Sequence, residues 1–213
     1  MEGPGTEDGL GLTDRDAGPD EERPLLTLDL DGVICAPVFG LNLGIGRRMI
    51  DPAAVPPEAA VPPRWLSAPW DHVRFDLRRP LPGARAALKR LSARRRLVVL
   101  TGRRSDPGPW LHRHGMTGLL DGVVFNEGAS RSAHFKLRRS AELGAAEHID
   151  DDGPTAQLLA ELGTARVYLR DWPRNRGLPY SATVNRVDDL GALAALLGAD
   201  GGPGDGERPS GAD

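Results

Sequence analysis

Short apolar runs, each separated from the next by a helical pattern, constrain this chain more than any other feature. They occupy residues 25–28, 97–100, 121–125, 147–149 and 166–169. Brief, continuous apolar runs of this kind suit strands buried on both faces. Between the first two runs, Ala84, Ala87, Leu88 and Leu91 recur on one stripe, with Arg85, Lys89, Arg90 and Arg94 outside it, the signature of an amphipathic helix. Further helices are expected over about 109–114, 135–143, 154–162 and 188–197, with Pro154 near a first turn, where proline is tolerated. Strands alternating with helices predict a parallel sheet of about five strands with helices on both faces.

Three of the runs deliver polar groups to one edge of that sheet. Asp29 and Asp31 follow the first, Thr101 the second, and Asp150 and Asp151 the fourth. Ligands of such sheets bind beyond the carboxyl ends of the strands. In an extended chain residues i and i+2 point the same way, so Asp29 and Asp31 leave the strand side by side. Adjacent carboxylates repel, and one pKa rises unless a cation compensates. Packing alone gives a buried strand no need for such a pair. The cluster reads as a catalytic and metal-binding centre. Carboxylate oxygens with no His or Cys among them suit a hard cation, most simply Mg²⁺ with retained waters.

Of the 27 basic residues only Lys89 and Lys136 are lysines. Lysine offers a compact point charge that arginine's planar fork does not. Lys89 lies in the amphipathic helix, which leaves Lys136 as the cation for the carboxylate cluster. Two acids, a hydroxyl, a lysine and a metal are the equipment for phosphoryl transfer through an aspartyl-phosphate.

Charge and cysteine usage bound the setting. Residues 1–24 carry eight acids and two bases, and 198–213 carry four acids and one base, which leaves 25–197 with 18 acids and 24 bases, a balance of +6. A mildly basic body suits an anionic substrate. The single Cys35 excludes an internal disulfide and fits a reducing cytoplasm. No apolar run reaches the length of a membrane span, and no signal pattern opens the chain. A nucleic-acid partner is not expected, because the Arg94-Arg95-Arg96 run has no aromatics interleaved with it. His148 reads as strand packing.

Residues 1–24 and 198–213 read as disordered tails by composition, the first of them acidic. The catalytic domain is expected over 25–197. Within it, 33–80 is rich in proline and holds Trp65 and Trp70 among several arginines. A segment this long and irregular suits a lid or binding loop, in which tryptophan and arginine could stack a base or grip a second phosphate.

Asp29-Leu30-Asp31-Gly32-Val33 resembles the first motif of the haloacid dehalogenase (HAD) superfamily, DxDG followed by Thr or Val. Leu100-Thr101-Gly102-Arg103 resembles its second motif, Lys136 fits the third, and Ile149-Asp150-Asp151 fits the fourth. All four occur in the family's order over 25–197. Two short segments, Asp150 to Thr155 and Trp172-Pro173-Arg174-Asn175, are similar to bacterial 5'(3')-deoxyribonucleotidase-like members.

The resemblance implies a Rossmann-like three-layer α/β/α fold with 33–80 as a reduced cap. It implies that Asp29 attacks phosphorus, and that Asp31 protonates the leaving oxygen and then activates water. Thr101 and the backbone near Gly102 would hold the phosphoryl oxygens, and Lys136 would neutralise Asp29. Asp29, the Asp31 carbonyl, Asp150 and Asp151 would hold Mg²⁺. Arg103, Trp65 and Trp70 are further substrate-binding candidates. Dehalogenase members lack the acid at Asp31, so phosphate-ester hydrolysis is favoured over carbon–halogen chemistry. The expected substrate is a small phosphorylated metabolite such as a nucleotide. A phosphatase acting on a phosphoprotein or nucleic-acid end, and a non-catalytic binding module, are the competing readings.

Overall fold

A computed structural model of the chain describes residues 23–37, 48–54 and 78–199. Trp65 and Trp70, most of the 33–80 insert and nearly all of both tails lie outside the described residues. The strands are β1 (Leu25–Leu28), β2 (Arg96–Thr101), β3 (Gly122–Phe125), β4 (Glu147–Asp150), β5 (Arg166–Arg170) and β6 (Val184–Val187). The helices are α1 (Ala84–Ser92), α2 (Gly108–Arg113), α3 (Ser132–Glu142), α4 (Gly153–Leu162) and α5 (Leu190–Ala199).

The strands form one sheet in the order β3-β2-β1-β4-β5-β6. Every pairing is parallel. The fold is the expected three-layer α/β/α, with six strands rather than about five. The extra strand, β6, is an edge strand whose Val184 and Val187 are buried while Asn185 and Arg186 face out. It has no continuous apolar run because only its first and last residues are buried, with β5 as its single neighbour. Helix α3 starts at Ser132, three residues before the expected 135, because Ser132-Ala133-His134 carry no strong apolar stripe.

Successive side chains along each strand face opposite layers, and β1 and β4 are buried throughout. Leu26 and Leu28 of β1, Val99 of β2, Ile149 of β4 and Tyr168 of β5 pack on one face with Leu88 and Leu91 of α1 and Leu190 and Leu193 of α5. Val167 and Leu169 of β5 face the other way, against Ala156 and Leu159 of α4. Each fully buried leucine contributes about 1.5–3 kcal/mol of transfer free energy. That burial fixes the register, since a one-residue slip would turn Leu26 and Leu28 to the wrong face.

The register also sets the site. Leu28 lies opposite Val99 and Ile149, so Asp29 comes level with Asp150 on the neighbouring strand, and Thr101 lies one residue further along on the other side. After β1 the chain makes a tight turn, with Ile34 N–H donating to Leu30 O at 3.0 Å and Cys35 N–H donating to the same oxygen at 2.8 Å. The two ends of the insert then meet. Ala36 N–H donates to Arg79 O and Leu81 N–H to Ile34 O, both at 2.8 Å. This closure carries Arg78, far along the sequence, to the edge of the site.

Candidate active site

Asp29 follows β1 directly and is buried. Lys136, on the inner side of α3, is also buried, and its Nζ lies 3.0 Å from Asp29 Oδ1 and 2.7 Å from Asp150 Oδ2. Asp29, Asp150 and Asp151 each bring a carboxylate oxygen within 4.8 Å of one another. Burial, with Asp150 and Asp31 adding repulsion, pushes the Asp29 carboxyl up to about 7 against the pull of Lys136. Burial and the Asp29 charge likewise raise the Asp151 carboxyl well above its ordinary range. Asp150 goes the other way. Although burial opposes it, Lys136 and His148 hold its carboxyl below the usual range. The Lys136 ammonium is favoured by Asp150 and Asp29 despite its burial.

Among the described residues Asp29, Asp150 and Asp151 face Lys136 and, at Asp151, Arg174, so this buried cluster stays one charge negative in a low dielectric and suits a cation. The donor set is oxygen only, which fits Mg²⁺. Asp31 stands apart from this cluster. Its side chain is 20% exposed, against 7% for Asp29 and 0% for Asp150, so it lies nearer the mouth.

Asp31 is held by two arginines. Arg103 Nε donates to Oδ2 at 2.8 Å and its NH2 to Oδ1 at 2.6 Å. Arg78 NH1 also donates to Oδ1. The Arg78 backbone is fixed in turn, because the buried Trp110 donates its Nε1–H to Arg78 O at 2.9 Å. Although burial acts in the other direction, the two guanidiniums hold the Asp31 carboxyl below its ordinary range. Arg103, expected to face substrate, thus spends its fork on Asp31 and also reaches Cys35 Sγ at 3.6 Å.

Thr101 is buried at the end of β2, and its Oγ1 accepts the Arg103 N–H at 3.3 Å. Gly102 lets the loop pass close to α3, since a Cβ there would sit 2.0 Å from Ser132 Oγ. Gly32 is needed twice over. Its φ is +77°, and a Cβ would fall 1.6 Å from Asp151 Oδ2. Asp151 can approach the nucleophile loop only across a bare α-carbon.

Several groups had no site role assigned from the sequence, although Arg174 and Asn175 lie in the Trp172-Pro173-Arg174-Asn175 segment. Arg174, in a short 3-10 turn after β5, donates to Asp151 Oδ2 at 2.5 Å and to Asp151 O at 2.9 Å. Asn175 Nδ2 bonds the same carbonyl at 2.9 Å. Arg170 lies over the Trp172 ring at 4.1 Å and donates to Gly32 O at 2.5 Å. Asp152 caps α4, accepting from Thr155 N at 3.2 Å. His148 is more than strand packing. Its Nδ1 lies 2.8 Å from Thr27 Oγ1 and its Nε2 3.1 Å from Asp150 Oδ2. The strand period would have put His148 and Asp150 on one face, but it does not reveal that Thr27 stands beside them.

No known family model matches the chain, and no curated protein matches it in sequence. Solved structures do match in shape. CbbY from Rhodobacter sphaeroides, solved with phosphate, superposes with a TM-score of 0.56 at 16% identity, covering 84% of this chain and 99% of that one. A HAD-superfamily hydrolase of subfamily IA from Geobacter sulfurreducens gives 0.53 at 17%, covering 83% and 100%.

The chain has the haloacid dehalogenase fold. A D,D-heptose 1,7-bisphosphate phosphatase from B. bronchiseptica, solved with magnesium and phosphate, also matches, with a TM-score of 0.51 at 17% identity and coverage of 83% and 99%. At these identities the shared property is the HAD fold. Three of the four motifs stand at the ends of β1, β2 and β4, and Lys136 lies in α3.

Proposed function

We propose that this HAD-fold chain is a Mg²⁺-dependent phosphomonoester hydrolase acting through an aspartyl-phosphate on Asp29. The observation that carries the reading is the convergence of Asp29, Asp150 and Asp151 within 4.8 Å, with Lys136 bridging Asp29 and Asp150. Charge supports it as well. The four acids Asp29, Asp31, Asp150 and Asp151 are matched by the four cations Lys136, Arg78, Arg103 and Arg174. A divalent cation would leave the site two charges positive, the complement of a phosphomonoester dianion.

Lys136 holds Asp29 Oδ1, which leaves Oδ2 as the attacking atom. A bond forms from Oδ2 to phosphorus as the ester P–O bond breaks, and Asp31 gives a proton to the departing oxygen. Asp31 then takes a proton from water, which attacks the aspartyl-phosphate, frees inorganic phosphate and restores Asp29. Thr101 and the backbone at Gly102 orient the phosphoryl oxygens, and Lys136 offsets their charge throughout. Mg²⁺, held by Asp29, Asp150, Asp151 and the Asp31 carbonyl, would neutralise the transferring phosphoryl group.

The substrate we propose is a small phosphorylated metabolite such as a nucleotide. The basic body of the chain favours an anion, and the lone buried thiol of Cys35 suits a reducing cytoplasm. Turnover of p-nitrophenyl phosphate with Mg²⁺ tests the reaction. The expected result is hydrolysis that Asp29→Asn abolishes; equal rates for parent and Asp29→Asn would reject it.

A further inference from the structure

Thr27 and His148 stand opposite each other across β1 and β4. His148 and Asp150, two residues apart on β4, share a face of the sheet. The result is a buried line of polar groups running from the sheet interior to the metal ligands, with Thr27, His148 and Asp150 all 0% exposed. A carboxylate only accepts, so His148 Nε2 carries a proton and donates it to Asp150 Oδ2 at 3.1 Å. Thr27 Oγ1 sets the ring from the other side at 2.8 Å.

The lone pairs of Asp150 can be counted. An ionised carboxylate has about four acceptor positions, two on each oxygen. On Oδ2 both are taken, by Lys136 Nζ at 2.7 Å and by His148 Nε2. On Oδ1 one is taken, by the Asp152 N–H at 2.9 Å. Among the described residues one position remains, on Oδ1. A carboxylate so placed can give a metal one oxygen and not two. Mg²⁺ demands a near-ideal octahedron and is served by one-atom carboxylate ligands, whereas Ca²⁺ takes more oxygens and accepts two from one carboxylate.

We propose that His148, set by Thr27, is a positioning residue that confines Asp150 to one-atom ligation through Oδ1 and so biases the centre towards Mg²⁺ over Ca²⁺. This rests on the metal-dependent reading above. The strand period places His148 beside Asp150, but the sequence does not show Thr27 next to them, because Thr27 and His148 lie 121 positions apart.

The test is calorimetric binding of Mg²⁺ and Ca²⁺ separately to the full chain and to His148→Leu, His148→Gln and Thr27→Val. Partners behind metal ligands typically carry about 10–100-fold in affinity. His148→Leu should lose about tenfold in Mg²⁺ affinity with Ca²⁺ unchanged or tighter, so the preference between the ions falls. Gln keeps an N–H donor and should stay within about threefold of the parent. Thr27→Val removes one hydroxyl without changing shape, and should move the preference in the same direction by about threefold, which keeps the test open if His148→Leu fails to fold. Equal losses for both ions, an unchanged preference in folded His148→Leu or Thr27→Val, or a parent that binds no Mg²⁺ would overturn the proposal. A parent that binds with this preference but hydrolyses no ester would overturn the phosphatase reading alone.

Discussion

Arg103 meets Asp31 through two parallel bonds of 2.8 and 2.6 Å, and Arg78 adds a third to the same carboxylate. A general acid must hold a proton, and this pairing favours the ionised form. In the proposed mechanism Asp31 would therefore be ready to act as base in the second step and reluctant to act as acid in the first. Leaving groups that need little help should be preferred. We expect kcat/KM for p-nitrophenyl phosphate to exceed that for glycerol 2-phosphate by at least about tenfold, because general-acid help to a poor leaving group is typically worth more than that. Arg78→Ala should raise the Asp31 pKa and narrow that gap to about threefold. A ratio that stays constant in Arg78→Ala would show that proton donation by Asp31 does not limit the alkyl ester.

Asp29 couples stability to pH and metal. Burial, reinforced by Asp150 and Asp31, pushes its carboxyl to about 7 from the ordinary 3.8. Between those values the folded protein binds more protons than the unfolded chain, so stability falls as pH rises through that window. A divalent cation relieves the same repulsion without a proton. The increase in Tm on adding saturating Mg²⁺ should therefore be larger at about pH 8 than at about pH 5.5. Scanning calorimetry at both values reads this directly, and a shift that shrinks with rising pH would contradict it.

Gly32 offers a sharper steric prediction. Alanine there would have to hold a φ of +77° with its Cβ overlapping Asp151 Oδ2. The left-handed backbone costs a non-glycine residue about 1–2 kcal/mol, and Asp151 must move besides. Gly32→Ala should unfold about 2 kcal/mol more easily in urea. It should also lose Mg²⁺ binding by more than the loss in stability accounts for. A variant that is destabilised but binds Mg²⁺ with parental affinity would mean that Asp151 is not a ligand.

Much of this site was legible because each of its parts ends an apolar run. Asp29, Thr101 and Asp150 each announce themselves by following a buried strand, and parallel topology puts such ends together. Lys136 was legible by contrast, as one of two lysines in an arginine-rich chain. The missing parts are long-range pairings. Arg78 lies 47 positions from Asp31 and Arg174 lies 23 from Asp151. With so many arginines nothing local distinguishes these two from those facing solvent. Strand β6 escaped for a different reason, since two valines flanking Asn185 and Arg186 make neither a continuous run nor an alternation.

Lys136 touches both Asp29, the proposed nucleophile, and Asp150, a proposed metal ligand, from a buried position. Lys136→Met keeps much of the side-chain volume and removes the charge. Deleting one partner of a buried ion pair costs about 3–5 kcal/mol, chiefly through the charge left behind. Here Asp29, Asp150 and Asp151 would be left facing one another, so their carboxyls should bind protons more tightly. The stability deficit should thus be largest at about pH 8 and should shrink as pH falls and the carboxyls are neutralised. Removing a preorganised cation aimed at developing charge costs about 10²–10³ in kcat, and the loss with p-nitrophenyl phosphate should be of that order even under saturating Mg²⁺. Urea titrations at the two pH values and steady-state rates on the same preparation check both parts. A deficit independent of pH would assign Lys136 to packing, and a kcat within about threefold of the parent would remove it from the phosphoryl site.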